Sequence, residues 1–399
     1  MKTVNETHQT EYGVLPEIVV KAPGRIHLIG DHSWFFKDKT LSMAISLPVY
    51  VSISKRNDSV LKFYFHQLNE RKRANIGSIK LKKEDRWANA IKSVIYGYIS
   101  AGFSLGGMDI CVYSEILPSA GFGITTAVKA ATALAVKELF AVPFTDSQLL
   151  QVLERGNRRF LQQNNYLADN FTALFSKKNN FIITDYSKNT WDYVPFNFSN
   201  KKIFLVDTKV PRVSLWNEDV IHSARAALFM GDLKEFKPNA YGGWQYINNI
   251  TDINEVLEEL SDFEHLSEVD RRRLVCIIKE HEYLLNAVEG LYKDDFFKFS
   301  RAVNLSHEGM RDMYEISCPE IDWILKRVNE LEPNLEMITK SVSCGRITGK
   351  GFGRCLYAII RSSDEEKFKA KLTEFEKIFG YHADCYEVTP AEGAVVLRD

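Results

Sequence analysis

The sequence predicts an α+β fold in two lobes. Strand-like and helix-like stretches alternate through the N-terminal half, residues 217 to 331 read as mostly helical, and the chain closes on a strand, a charged helix and a final strand. The 399 residues give room for two sizeable hydrophobic cores, and a third is not excluded. The crossover between lobes is placed at IFLVDTKV (203 to 210), which gives lobes of residues 1–205 and 206–399.

Taken in order, EIVVK (17 to 21) reads as a short strand that Ala22-Pro23-Gly24 turns. From Leu41 to Ile53 every odd position is apolar, the signature of a half-buried strand, with a break expected at Pro48. Residues 60 to 66 read as its partner. Helical spacing of Trp87, Ile91, Val94 and Ile95 predicts a helix over 86 to 101, and GGMDICVYSE (106 to 115) alternates as a strand. Val128, Ala131, Leu134, Ala135 and Leu139 share one face of a helix over 125 to 140. A helix follows over 157 to 175, then strands at 181 to 186 and 203 to 210. After the helical tract, GRITGKGFGRC (345 to 355) leads into the strand LYAIIR, a helix over 364 to 379 and a last strand.

Composition excludes several classes. Net charge is −1, so nothing suggests nucleic acid or an anionic membrane as partner. The run Arg271-Arg272-Arg273 is read as a solvated helix face. The six cysteines form no CxxC pair, which argues against metal ligation and a disulfide framework. The polar N-terminus lacks the apolar core of a signal peptide, and no run of about 18 apolar residues could span a bilayer. Together these predict a cytoplasmic protein. The oligomeric state is left open, a monomer included.

Two glycine-rich turns could hold phosphate. In PSAGFGITT (118 to 126) small residues precede an alanine-rich helix, whose first N–H groups and positive dipole end face whatever lies in front. It is not a Walker A sequence, and it lacks the GxGxxG-plus-acid pattern of a dinucleotide fold. The same composition suits a purely structural helix entrance. Thr125 and Thr126 could offer a hydroxyl to Mg2+ or cap the helix, and capping is the commoner role. The second turn, with Gly349 and Gly351, would let backbone approach a ligand closely, or is simply a tight β-turn. Two acids invite a catalytic reading: Asp31, between Gly30 and His32, and Asp169 in YLADNF. A lone helical Asp is more often solvated or capping.

Several segments together are more specific. KAPGRIHLIGDH (21 to 32) resembles APGRVNLIGEH, the first motif of the galactokinase family of GHMP small-molecule kinases. SHEGMRDMYEISCPEID (306 to 322) is similar to that family's SHxSLRDxYEVSCPELD, and GRITGKGFGRC to xRMTGGGFGGC. YLADNF resembles GIMDQF, and YEVTPAEGA (386 to 394) resembles the C-terminal signature. The resemblance runs from about residue 18 to the C-terminus.

It implies a two-lobed GHMP kinase fold, with a mixed sheet and helices in the N-terminal lobe and helices on an antiparallel sheet in the C-terminal lobe. It implies ATP-dependent, Mg2+-assisted phosphorylation of a sugar, at the anomeric hydroxyl. Asp169 would activate or orient that hydroxyl, and Arg25 would stabilise the charge of the reacting groups. Gly121, Phe122, Gly123, Thr125 and Thr126 would cradle the nucleotide phosphates, with Thr125 on the Mg2+ side. An Asp beside an Arg has a lowered pKa, which suits orientation better than strong general-base work.

The sugar-side positions Asp31, His32, Trp34, Tyr166, Trp216, Gly349 and Gly351 depart from the family in part. Asp31 replaces Glu, Trp34 replaces a sugar-binding Asp, Tyr166 replaces Gly, and Trp216 replaces Tyr. Losing the Asp at position 34 removes a charge-assisted hydrogen bond of roughly 1.5–3 kcal/mol, so galactose binding is expected to be weakened or replaced. The family's GLSSS core is GFGITT here. A second reading therefore stands beside the first: a family member with little turnover that binds nucleotide or sugar as a sensor or partner.

Overall fold

The computed structural model describes residues 2–31, 39–116, 121–163, 166–211, 253–255, 257–258, 268–331, 342–349 and 354–398. Contacts divide the chain into two compact units. The first comprises residues 1–26, 43–178 and 390–399, and the second residues 27–42 and 179–389. The division passes through two strands, and residues 205 and 206 both lie inside the second unit.

In the first unit, β1 (Ile18–Ile29), β2 (Lys39–Lys55), β3 (Val60–Phe65), β4 (Glu70–Asn75), β5 (Met108–Ser114) and β12 (Val395–Leu397) take the order β12-β1-β2-β5-β3-β4. The residues expected to pair β3 with β2 instead place β5 between them. β3 runs parallel to β5 and antiparallel to β4. A parallel neighbour needs a crossover, and α2 (Ala88–Ser100) lies in the connection from β4 to β5. It packs with α3 (Ile124–Leu139) and α4 (Asp146–Arg155), and α3 packs with α5 (Leu167–Phe175).

Three further readings of this unit are corrected. β1 does not turn at Ala22-Pro23-Gly24 but continues to Ile29. Its pairing with β12 covers only Val19 to Lys21, so the N–H that Pro23 lacks is not needed on that side. Likewise β2 does not break at Pro48, because its ladder with β5 begins one residue later at Val49. The odd face of β2 from Leu41 to Ile53 is buried as expected except at the half-buried Leu47, but Ser52 and Ser54 on the other face are buried too. The helix α1 (Lys2–Tyr12) covers them, with the His8 ring nitrogens 2.9 Å and 3.0 Å from their hydroxyls. Finally, 157 to 175 is not one helix. A π-helical turn (Gly156–Phe160) follows α4, the described residues 161–163 and 166 are non-helical, and α5 begins at Leu167.

The second unit contains an antiparallel sheet of β8 (Lys201–Asp207), β9 (Cys344–Ile347), β10 (Cys355–Arg361) and β11 (Asp384–Val388), in the order β11-β8-β10-β9. Phe204, Val206, Leu356, Ala358 and Ile360 project from it into a core shared with Ile321, Ile324, Phe368 and Phe375. Those last four lie on α8 (Pro319–Asn329) and α9 (Glu365–Phe379), while α6 (Glu268–Tyr292) and α7 (Phe296–Asp312) pack on each other. The hairpin of β6 (Asn180–Asp185) and β7 (Thr190–Pro195) pairs with the first residues of β2. No helix among the described residues is long and apolar enough to cross a membrane. All six cysteines are free thiols.

Candidate active site

In the first unit, Arg25 on β1 and Asp169 on α5 form a two-pronged ion pair. Arg25 Nε donates to Asp169 Oδ1 at 2.7 Å, and Nη2 donates to Oδ2 at 2.9 Å. The paired geometry matches the guanidinium fork to both carboxylate oxygens. Thr126 Oγ1 adds a third hydrogen bond to Oδ2, at 3.1 Å. Asp169 is the third residue of α5, so its negative charge also meets the positive end of that helix. Both partners retain a little solvent access, with side chains 16% and 15% exposed, which leaves the carboxylate reachable by a ligand.

The cradle is built against the same arginine. Gly121 and Gly123 adopt positive φ, 77° and 80°, on either side of the buried Phe122. Phe122 carbonyl accepts the Arg25 N–H at 2.9 Å. This approach depends on Gly24, where a Cβ would lie 2.7 Å from the Phe122 oxygen and 2.5 Å from Ile116 Cδ1. At Gly123 a Cβ would fall 2.8 Å from Arg25 Cγ. Gly123 is the N-cap of α3 and has no side chain to cap it. The first helical bond there runs from the Ala127 N–H to the Gly123 carbonyl, so the N–H groups of Ile124, Thr125 and Thr126 precede the intrahelical ladder. The two threonines, read as helix caps or Mg2+ ligands, separate in role. Thr126 binds Asp169, and Thr125 is exposed at the helix start.

One turn beyond Thr126, the ammonium of Lys129 is buried and donates to Asn157 Oδ1 at 2.6 Å. Burial lowers its pKa to about 8, opposed by the attraction of the Asp169 carboxylate. Neither Lys129 nor Asn157 stands out in the sequence. The only signal is a lysine in an alanine-rich helix, three positions after Thr126. Tyr166 is the N-cap of α5, half-exposed and three residues before Asp169.

In the second unit, Asp31 Oδ1 accepts a 2.6 Å bond from Arg346 Nη2. The Arg346 guanidinium is fully buried and also donates to Glu280 Oε1 at 2.9 Å and to Ser306 Oγ at 2.6 Å. Burial works against its charge, and Asp31 and Glu280 outweigh it, so the guanidinium is held above its ordinary range. Glu280 Oε1 also accepts the Gly30 N–H at 3.0 Å. Thr348 Oγ1 donates to the His27 carbonyl at 3.4 Å, and Gly349 follows with φ 83°. Arg346 on β9 and Thr348 just after it, both in GRITGKGFGRC, thus tie down the end of β1. His32, Trp34, Trp216 and Gly351 lie outside the described residues.

A sequence model of the GHMP kinases N terminal domain matches residues 89–177, which hold the cradle, Lys129 and Asp169. A model of the galactokinase galactose-binding signature matches residues 6–55. A Treponema pallidum (strain Nichols) protein named "Putative galactokinase" is 36% identical over 403 residues, 100% of this chain and 97% of that protein. Galactokinase of Thermotoga maritima is 28% identical over 375 residues, 94% of this chain and 98% of that protein. The crystal structure of Lactococcus lactis galactokinase complexed with galactose matches the fold with a TM-score of 0.83, at 20% identity, over 99% of each chain.

A glycine cradle at a helix start, beside an arginine-held aspartate, in this α+β fold defines a GHMP small-molecule kinase. Within that class the chain belongs to the galactokinase family, and it is a galactokinase-like, ATP-dependent sugar kinase.

Proposed function

We propose that the chain transfers the terminal phosphoryl group of ATP to the anomeric hydroxyl of a hexose, with Asp169 orienting that hydroxyl and Arg25 stabilising the reacting charges. The observation that carries this is the Arg25–Asp169–Thr126 cluster. Three donors converge on the Asp169 carboxylate and favour its ionised form. It is a hydrogen-bond acceptor held in one geometry rather than a strong base. Phosphoryl transfer asks mostly for positioning and charge stabilisation, which this arrangement supplies. The intact cluster also favours a working kinase over a sensor without turnover.

The N–H groups that open α3, with Gly121 and Gly123, are suited to the nucleotide phosphates. Among the described residues no group of three or more His, Cys, Asp or Glu side chains could hold a metal. That fits Mg2+ carried by the nucleotide, since it keeps waters and phosphate oxygens in its shell and needs few protein ligands. Thr125, exposed at the start of α3, would be the residue that holds it. Bound there, Mg2+ would neutralise charge developing on the phosphates.

The acceptor is read from the sugar-side residues. The match to the galactose-binding signature supports a hexose, while in the sequence Trp34, Tyr166 and Trp216 stand at positions where the family motifs have Asp, Gly and Tyr. We assign weakened galactose recognition to this exchange. ADP release scored over a panel of hexoses tests it. The proposal requires another hexose to exceed galactose in kcat/KM. Phosphorylation of galactose as efficient as that of an ordinary galactokinase overturns it.

A further inference from the structure

Lys129 carries a charge that the phosphate cradle and the ion pair leave unexplained. Its side chain sits inside the first unit on α3, and its ammonium meets the neutral oxygen of Asn157 at 2.6 Å. Among the described residues no carboxylate lies within ion-pair distance of it. An ammonium in such a place is costly unless something charged uses it. Thr126 and Lys129 are three residues apart on α3, so they share one face of the helix. Thr126 donates to Asp169 at 3.1 Å, and the carboxylate that acts electrostatically on Lys129 is Asp169 itself. Asn157, in the π-helical turn after α4, is buried and accepts from the ammonium.

We propose that Lys129, anchored by Asn157, is a positioning residue whose positive charge keeps Asp169 ionised and oriented between Thr126 and Arg25. This rests on the reading of Asp169 as the group that orients the sugar hydroxyl. The carboxylate then feels two cations on different elements, Arg25 on β1 and Lys129 on α3. Arg25 makes the direct bonds. Lys129 acts through the field, and Asn157 keeps it from moving away. Of the other charged groups on the elements packed around Lys129, Lys92 on α2 pairs with Asp85 and Glu154 on α4 pairs with Arg158 of the π-helical turn, while α4 also carries Asp146 and Arg155, and the turn Arg159.

The test uses Lys129→Met, Lys129→Arg and Asn157→Leu in the full chain, each checked by thermal melting for a retained fold. Lys129→Met is expected to move the acid limb of the kcat profile to higher pH by about one unit, with KM for ATP changed less than about twofold. Lys129→Arg restores the limb. If the larger guanidinium prevents folding, Asn157→Leu serves instead and shifts the limb in the same direction by less. The Asp169 carboxyl, followed by carbon NMR in aspartate-labelled protein, should titrate at higher pH in Lys129→Met than in the wild type. That readout does not depend on turnover. Retained turnover in Asp169→Asn would remove the catalytic reading of Asp169 while the NMR shift could still stand. A folded Lys129→Met with an unmoved limb and an unmoved Asp169 titration overturns the Lys129 assignment.

Discussion

Arg346 and Asp31 stand 315 positions apart in sequence and join through a 2.6 Å hydrogen bond with the guanidinium fully buried. The bond links KAPGRIHLIGDH (21 to 32) to GRITGKGFGRC (345 to 355), within one unit. Glu280 and Ser306 complete the shell around the arginine, and Glu280 also holds the Gly30 N–H. Asp31, which the family resemblance places on the sugar side, is therefore engaged by the protein through its carboxylate.

Replacing Arg346 by leucine strands two carboxylates that it now satisfies. Removing one partner of a buried ion pair typically costs about 3–5 kcal/mol. The expected result is a fall of that size in unfolding free energy by urea titration. A loss under about 1 kcal/mol would show that this network contributes little.

Gly123→Ala tests the close approach of the cradle to Arg25. The added Cβ would meet Arg25 Cγ at 2.8 Å, and φ of 80° is already unfavourable for alanine. The backbone conflict alone is worth roughly 1–3 kcal/mol. Moving Arg25 should also lower kcat, because the arginine holds Asp169. Unchanged kcat with reduced stability would mean that the loop yields without disturbing the pair.

His8 predicts an acid-sensitive region in the first unit. Burial lowers its pKa from 6.5 to about 4, against a smaller opposing effect of its hydrogen bond to Ser52. The folded state thus keeps the ring neutral where the unfolded chain protonates it. Its contribution is full above about pH 6.5 and is lost as pH falls toward 4, by up to about 3 kcal/mol. Denaturant titrations of wild type and His8→Gln at neutral pH and at pH 4.5 read this directly. The variant should lose less stability between the two conditions. Equal losses would contradict the assignment.

Much of this was legible from residue patterns. The alternation from Leu41 to Ile53 gives β2, and the alanine-rich run after Gly123 gives α3, because burial of one face imposes those periods. Arg25 and Asp169 emerge from the family motifs, and the fold brings them to hydrogen-bonding distance. What the patterns hide depends on partners distant in sequence. Pro23 and Gly24 look like a turn, yet they sit in a strand whose neighbouring ladder stops at Lys21. The residues after Gly156 look continuously helical, yet the chain leaves the helix before α5 restarts at Leu167. Helix α1 buries only Val4 and His8, so its apolar face is too thin to detect. Lys129 and Asn157 carry no spacing signal, since only the fold places them together.

The central claim is that Asp169, held by Arg25, orients a sugar hydroxyl for attack on ATP. The most direct measurement compares phosphoryl transfer from labelled ATP to the best hexose of the panel by wild type and Asp169→Asn, with ATP affinity measured by calorimetry on both. The account predicts that turnover falls by roughly 10²–10⁴-fold or more while ATP affinity stays within a few-fold of wild type. Turnover within about tenfold of wild type, with ATP bound equally well, would contradict it.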